Sequence, residues 1–324
     1  MIECMLAAPS SGRGKTALAC ALLAALQKRG LAPCAFKCGP DYIDPMFHRS
    51  VLGVESHNLD LFLCGEDAAR TLYARHAAGH GAAVVEGVMG FYDGVGGVTA
   101  RASAWHVART LDLPVLLGND ADCAAVGEYF QGAGRGLRDF VVLTLGTGLG
   151  AGIILDGRLR GGESSSEAGH MVLHAGGEPC PCGRRGCWEQ YASATALIRR
   201  TEAAMAAHPE SALCRLAEEA GGVDGRTPFL AAEAGDETAL AVCRAYVEEL
   251  AEGTASLINI LRPEAVAFGG GVAGAPEHLL LEPLRRRVGA LCFSRHGGRA
   301  TRILRAELGN DAGVIGAALL GRVI

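Results

Sequence analysis

The stretch Ser10-Ser11-Gly12-Arg13-Gly14-Lys15-Thr16 constrains the start of this chain more than any other feature. It follows a short apolar run, Glu3 to Ala7, and opens an Ala- and Leu-rich run, Thr16 to Arg29. A glycine-rich turn between a strand and a helix presents backbone N–H groups at a helix N-terminus, where a phosphate is readily held. Gly12 and Gly14 would let the backbone wrap the phosphates, Lys15 would reach the outer ones, and the Thr16 hydroxyl would hold Mg²⁺. The strict form of such a loop has a glycine five positions before Gly14, where this chain has Pro9. Further strand candidates are Pro33 to Lys37, Ala82 to Glu86 and Pro114 to Leu117, with amphipathic stretches between them. That alternation predicts an α/β fold, a parallel sheet with helices on both faces.

From Asp139 the pattern changes. Phe140 to Leu145 and Gly152 to Leu155 read as a hairpin around a glycine-rich turn, and a loop rich in Gly, Cys and Ser follows from Gly161 to Cys187. Tyr191 to Ala207 and Glu237 to Leu261 read as helices, Ala265 to Phe268 as a strand and Asp311 to Leu320 as a closing helix. A chain of 324 residues accommodates two domains. No repeat or low-complexity linker marks the join, so motifs place it near Gly118, giving domains 1–117 and 118–324.

Composition narrows the partners. With 49% hydrophobic residues, 20% charged and a mean hydropathy of +0.21, the chain is too apolar for disorder. A net charge of -5 without a basic run argues against nucleic acid. The longest apolar stretch, Ala17 to Leu26, falls short of the ~20 residues of a membrane span. Met1-Ile2-Glu3-Cys4 carries an acid where a secretory leader is positive, so the expected compartment is the cytoplasm.

In the second half, Asn119-Asp120 follows an apolar run and precedes a helix-like one, Ala124 to Phe130. An Asp there can take a proton from an attacking hydroxyl, although Asn-Asp is equally an ordinary helix cap. Gly146-Thr147-Gly148 offers bare amides and a hydroxyl to a phosphate. Of the 12 cysteines, nine are scattered and three are packed as Cys180-x-Cys182-x4-Cys187. With His170 they make a four-ligand set for tetrahedral Zn²⁺, closed and therefore structural. Such a site would pin the loop that carries Glu167 and Glu189.

Two resemblances attach to these motifs. Phe36-Lys37-Cys38-Gly39-Pro40-Asp41-Tyr42-Ile43-Asp44-Pro45, Asn58-Leu59-Asp60 and Val85-Glu86-Gly87-Val88-Met89-Gly90-Phe91-Tyr92-Asp93-Gly94, in that order, make residues 1–117 resemble the P-loop ATP-binding domain of cobyrinic acid a,c-diamide synthase. That group uses a loop one residue longer than usual, with Ala8 here where its first glycine sits. The resemblance implies ATP and Mg²⁺ at Lys15 and Thr16, with Asp44 and Glu86 as metal-side carboxylates. In that family ATP activates a carboxylate as an acyl phosphate, which ammonia displaces. The plainer alternative makes these acids turn and strand-end residues. Nothing after Leu117 resembles the glutamine-amidotransferase-like domain in which such synthetases end.

Residues 118–324 resemble the ROK family of bacterial sugar kinases and sugar-responsive repressors, through the motifs above and through Phe268-Gly269-Gly270-Gly271-Val272 and Glu307-Leu308-Gly309-Asn310-Asp311-Ala312-Gly313. The resemblance implies a ribonuclease-H-like, actin-type ATPase fold and a homo-oligomer. It makes Asp120 the catalytic base, lines a hexose site with Asn119, Glu167, His170 and Glu189, and gives Gly146 to Gly148 the ATP phosphates. Gly269, Gly270 and Gly271 would approach the adenosine, though a tight strand-to-helix turn explains three glycines equally well. The family's N-terminal lobe with its Asp-x-Gly-Gly-Thr motif is not found, nor is the repressors' winged helix-turn-helix. Asp93-Gly94-Val95-Gly96-Gly97 belongs to the synthetase motif.

The chain thus reads as two incomplete enzymes joined across Leu113 to Gly118, where both families place a proline before an apolar strand. Three readings follow: a hexose kinase, an ATP-dependent amidoligase or ATPase, and a fusion with no intact activity.

Overall fold

The computed structural model describes residues 1–113, 116, 118–161, 165–293 and 300–323. The chain divides into two compact units, Met1–Val115 and Leu116–Ile324. The expected strand from Pro114 to Leu117 lies outside the described residues, Leu116 excepted.

The first unit runs β1 (Ile2–Leu6), α1 (Lys15–Lys28), β2 (Pro33–Cys38), α2 (Ile43–Leu52), β3 (Ser56–Leu59), α3 (Glu66–Ala77), β4 (Ala82–Glu86) and α4 (Ala104–Thr110). Its sheet has the order β1-β4-β2-β3 with every neighbouring pair parallel. Because side chains alternate across a strand, the central strands feed two cores. Cys34, Phe36, Ala83 and Val85 pack against Ala69, Tyr73 and Ala77 of α3 and Val107 of α4. Ala35, Ala82 and Val84 pack on the other face against Leu23 and Leu26 of α1 and Val54. β2 and β4 are buried at every position, which explains their near-continuous apolar sequences. β1 is Ile2–Leu6 rather than Glu3 to Ala7, because its register with β4 ends at Leu6 opposite Glu86. α1 begins at Lys15, one residue earlier than expected, directly after the left-handed Gly14.

The second unit runs α5 (Asp120–Gln131), β5 (Phe140–Leu145), β6 (Leu149–Leu155), β7 (Arg158–Arg160), α6 (Glu189–Ala192), α7 (Ala194–Ala207), α8 (Ala212–Ala220), α9 (Thr227–Glu233), α10 (Glu237–Leu261), β8 (Ala265–Gly269), α11 (Leu281–Leu291), β9 (Arg302–Arg305) and α12 (Ala312–Leu319). The sheet order is β7-β6-β5-β8-β9, antiparallel across β5, β6 and β7 and parallel across β5, β8 and β9. Val141, Leu143, Val266 and Phe268 face the main core with Trp188, Leu197, Tyr246 and Leu250. Phe140, Val142, Ala265 and Ala267 face the opposite way, toward Ala125 of α5.

Three expectations need correction. The helix expected from Tyr191 to Ala207 is two helices, because the Ser193 hydroxyl leaves the helical path to accept from Ala196 N and cap α7. The second hairpin strand starts at Leu149, not Gly152, since pairing continues to Leu145–Leu149. The closing helix is Ala312–Leu319, with single 3-10 turns at both ends in place of Asp311 and Leu320.

Candidate functional site

In the first unit the loop after β1 turns back on itself through Gly12 (φ 71) and Gly14 (φ 77). That places Lys15 and Thr16 on the first turn of α1. Lys15 Nζ donates to the carbonyls of Ser10 at 3.1 Å and Met89 at 2.6 Å. Met89 has a left-handed φ of 49, so the acceptor carbonyl is presented by a conformation that costs free energy for a side-chain-bearing residue. Thr16 Oγ1 donates to Glu86 Oε1 at 2.5 Å and lies 3.2 Å from Asp44 Oδ2. The carboxyl ends of β2 and β4 therefore meet the start of α1, the crevice where ligands bind in parallel α/β sheets.

The sequence alone assigns Lys37 no role. It is 4% exposed, and its Nζ lies 2.6 Å from both Asp44 Oδ2 and Glu86 Oε1. Burial pulls against the Lys37 charge, but its hydrogen bonds to the two carboxylates outweigh that and raise its proton affinity. Burial likewise pushes Asp44 upward, while Lys37 and the Thr16 hydroxyl hold it below the ordinary carboxylate range. Glu86 Oε2 is buried without a partner. A lone lysine one residue before the end of an apolar strand is the signal the sequence carries. Asp41 instead accepts from the backbone of Ile43 and Asp44 and shapes the entry to α2.

In the second unit five segments converge. Gly150 and Gly152 of β6 let α5 lie directly on the strand: a Cβ on Gly150 would sit 2.9 Å from Ala121 Cβ, and one on Gly152 2.4 Å from Ala125 Cβ. This fixes Asn119 and Asp120 at the N-terminus of α5, beside the hairpin. The turn Ala168–His170 packs on the start of β6, where a Cβ on Gly169 would sit 2.2 Å from the Leu149 carbonyl. Glu189 Oε2 accepts from Leu149 N at 3.4 Å and lies 2.7 Å from where a Gly148 Cβ would be. The Gly146–Gly148 turn and the Gly269–Gly271 turn follow β5 and β8, and a Cβ on Gly270 would sit 2.5 Å from the Leu145 carbonyl.

Asn119 Oδ1 accepts from Ala121 N at 2.8 Å, and Asp120 Oδ1 accepts from the same N–H at 2.9 Å. Asp120 is exposed. Asp122, which closes the motif Gly118-Asn119-Asp120-Ala121-Asp122 and has no role in the sequence reading, is 3% exposed with Oδ1 unpartnered. Burial, then the charges of Glu167 and Asp120, push its carboxyl up to about 6. Glu167 Oε1 accepts from the Ser165 hydroxyl at 3.0 Å and Glu167 Oε2 lies 4.0 Å from His170 Nε2.

All 12 cysteines are free. His170, Cys180, Cys182 and Cys187 offer donor atoms that all lie within 4.8 Å of one another. Cys182 Sγ to Cys187 Sγ is 3.6 Å and Cys180 Sγ to His170 Nδ1 is 3.6 Å. A tetrahedron with Zn–S near 2.3 Å has edges of about 3.6–3.8 Å, so the spacing fits that ion. Behind the cluster, Trp188 is fully buried, and its Nε1 donates to the Glu249 carbonyl at 2.9 Å.

The α/β fold of this chain is shared with sugar kinases of known structure. The chain belongs to the ROK family, whose profile matches residues 104–323. It is 41% identical over 208 residues to a glucokinase of Halalkalibacterium halodurans, covering 63% of this chain and 62% of that protein. In structure it resembles a ROK family glucokinase from Streptomyces griseus, solved with glucose and AMPPNP, at TM-score 0.61 and 36% identity, over 80% of this chain and 87% of that one. A cobyrinate a,c-diamide synthase of Gloeobacter violaceus is 52% identical over 120 residues, 37% of this chain and 26% of that protein. The chain thus spans about three fifths of that glucokinase and a quarter of that synthase, joining segments of two kinds. Among the described residues no helix is long and apolar enough to cross a membrane.

Proposed function

We propose that this chain is a ROK-type hexose kinase of the cytoplasm, transferring the γ-phosphate of ATP to a sugar hydroxyl, with residues 118–324 as the kinase domain and 1–117 as a P-loop ATP-binding domain. The observation that carries the reading is the convergence of α5, the Gly146–Gly148 turn, the Glu167–His170 turn and Glu189 on one end of the second sheet. Asp120 takes the hydroxyl proton as the sugar oxygen attacks phosphorus and ADP leaves, a step worth roughly 10²–10⁴ in rate. Asn119 spends its carbonyl on the helix cap, so its NH₂ is the group offered to the sugar. Glu167, His170 and Glu189 complete the sugar contacts, Gly146, Thr147 and Gly148 hold phosphates, and Gly269, Gly270 and Gly271 admit the adenosine by lacking side chains.

Zinc would sit among His170 Nδ1, Cys180, Cys182 and Cys187, supplying rigidity rather than chemistry and leaving His170 Nε2 toward the sugar side. Mg²⁺ would be held in the first unit by Thr16, Asp44 and Glu86, where the orphaned Glu86 Oε2 is a ready ligand, with ATP phosphates over Gly12, Gly14 and Lys15. That orphan favours a second reading, MgATP chemistry of the amidoligase kind confined to the first unit.

The test is hexose-dependent ADP release by wild type, Asp120→Asn and Lys15→Ala. The kinase reading expects release that depends on sugar and falls at least ~100-fold in Asp120→Asn. Sugar-independent release lost only in Lys15→Ala selects the second reading, and no release in any form leaves a fusion without intact activity.

A further inference from the structure

A second cluster of metal-type donors lies in the first unit, apart from every residue assigned above. Glu55 precedes the edge strand β3, His57 lies within β3, His76 is on the last turn of α3, and His80 lies between α3 and β4. Glu55 Oε1 is 2.6 Å from His57 Nε2 and 3.0 Å from His76 Nδ1, and Glu55 Oε2 is 3.8 Å from His80 Nε2. The His57 and His76 rings stack with centroids 3.6 Å apart.

Ordinary surface ion pairing does not account for this arrangement. Three imidazoles surround one carboxylate, and among the described residues Glu55 pairs with no lysine or arginine. The three imidazole side chains are only 22–24% exposed, so their positions are set by packing. The carbonyl of Glu55 accepts from Ala35 N at 2.8 Å, which ties its backbone to β2. With neutral rings, the nitrogens facing Glu55 must spend their protons on it. A divalent ion can take the place of those protons and bind all the donors at once.

We propose that Glu55, His57 and His76, with His80 as a fourth donor, form a site for a divalent transition-metal ion, zinc by ligand type. Imidazole nitrogen with one carboxylate is the donor set that zinc takes and magnesium does not. The three nearest donors already lie within 4.8 Å of one another, and their 2.6 and 3.0 Å separations need to open by about half an ångström to reach a tetrahedral edge of ~3.3 Å. The ion would clip the edge strand to α3 and to the loop before β4. The inference does not depend on the kinase reading.

The full chain is stripped with chelator, reloaded with Zn²⁺ alone and freed of excess by gel filtration, and zinc per chain is then counted. Wild type is expected to hold one ion more than the His57→Asn/His76→Gln double variant, while a Cys182→Ser variant keeps the extra ion. Equal zinc in wild type and double variant overturns the proposal and leaves a hydrogen-bonded cluster only. Should the double variant misfold, Co²⁺ titration of wild type decides. Visible d–d absorbance that grows beyond the saturated thiolate band supports the site, and absorbance that tracks the thiolate band throughout overturns it.

Discussion

Replacing Lys37 by Met tests the charge cluster beneath the first loop. Met keeps the stem volume, so the change removes charge and donors and leaves little cavity. Lys37 Nζ lies 2.6 Å from carboxylate oxygens of Asp44 and Glu86, whose side chains are 16% and 1% exposed. Without it two carboxylates face one another in a site from which water is largely excluded. Breaking a buried ion pair on one side costs about 3–5 kcal/mol. Hydrogen exchange of the β2 and β4 amides reads the opening of this unit whatever the other unit does. The expected result is exchange faster by about two to nearly four powers of ten in Lys37→Met, at 1.4 kcal/mol per tenfold. Mg²⁺ should restore part of the protection, because Thr16, Asp44 and Glu86 offer it oxygen ligands. A cost below about 1 kcal/mol would refute the reasoning, since it would mean the carboxylates remain solvated.

Asp122, pushed up to about 6 by burial, Glu167 and Asp120, holds its proton more tightly folded than unfolded. Its penalty is therefore absent below about pH 4 and complete above the folded value, and Asp122→Asn should add up to about 3 kcal/mol above pH 6 and little at pH 4. Melting curves of both proteins across that range check it, and a gain independent of pH contradicts it. Zinc chelation should lower the melting temperature and open the segment between Glu167 and Glu189 to protease; an unchanged digest argues against a structural ion. Gly253→Ala would place a Cβ 2.1 Å from the buried Trp188 ring and should cost at least about 1–3 kcal/mol in urea unfolding. Glu128 is fully buried and accepts from the N–H groups of Ala133, Glu307 and Leu308, so Glu128→Leu should destabilise the α5–α12 region by several kcal/mol, read by exchange of α5 amides.

What was legible in the sequence was what repeats locally. Ala82–Glu86 and Glu237–Leu261 are observed as expected because an unbroken apolar strand and a 25-residue helical period carry their own signal. β3 escaped notice because Ser56-His57-Asn58-Leu59 has no alternation of its own; its strand state comes from pairing with β2. β9 is similar, since Arg302–Arg305 becomes a strand by lying beside β8. For the sites, the glycine, Cys and carboxylate motifs stood in the open. Lys37 and Asp122 did not, because their character comes from burial among partners distant in sequence.

One rule of α/β architecture places the candidate groups of the first unit and the Gly270 turn of the second. A parallel strand buried on both faces has only its ends to offer to a ligand, and its carboxyl end lies beside the N-terminus of the following helix. Lys37 and Glu86 stand at the carboxyl ends of β2 and β4 beside the start of α1; in the second unit the Gly146 turn joins β5 to the antiparallel β6, and the Gly270 turn follows β8. In the first unit Asp44 and Glu86 gather where Lys37 offsets their charge, and in the second Gly270 stands where a Cβ would strike the Leu145 carbonyl. Two segments that resemble unlike families therefore carry their candidate groups at strand ends and turns, which the topology leaves free of the core.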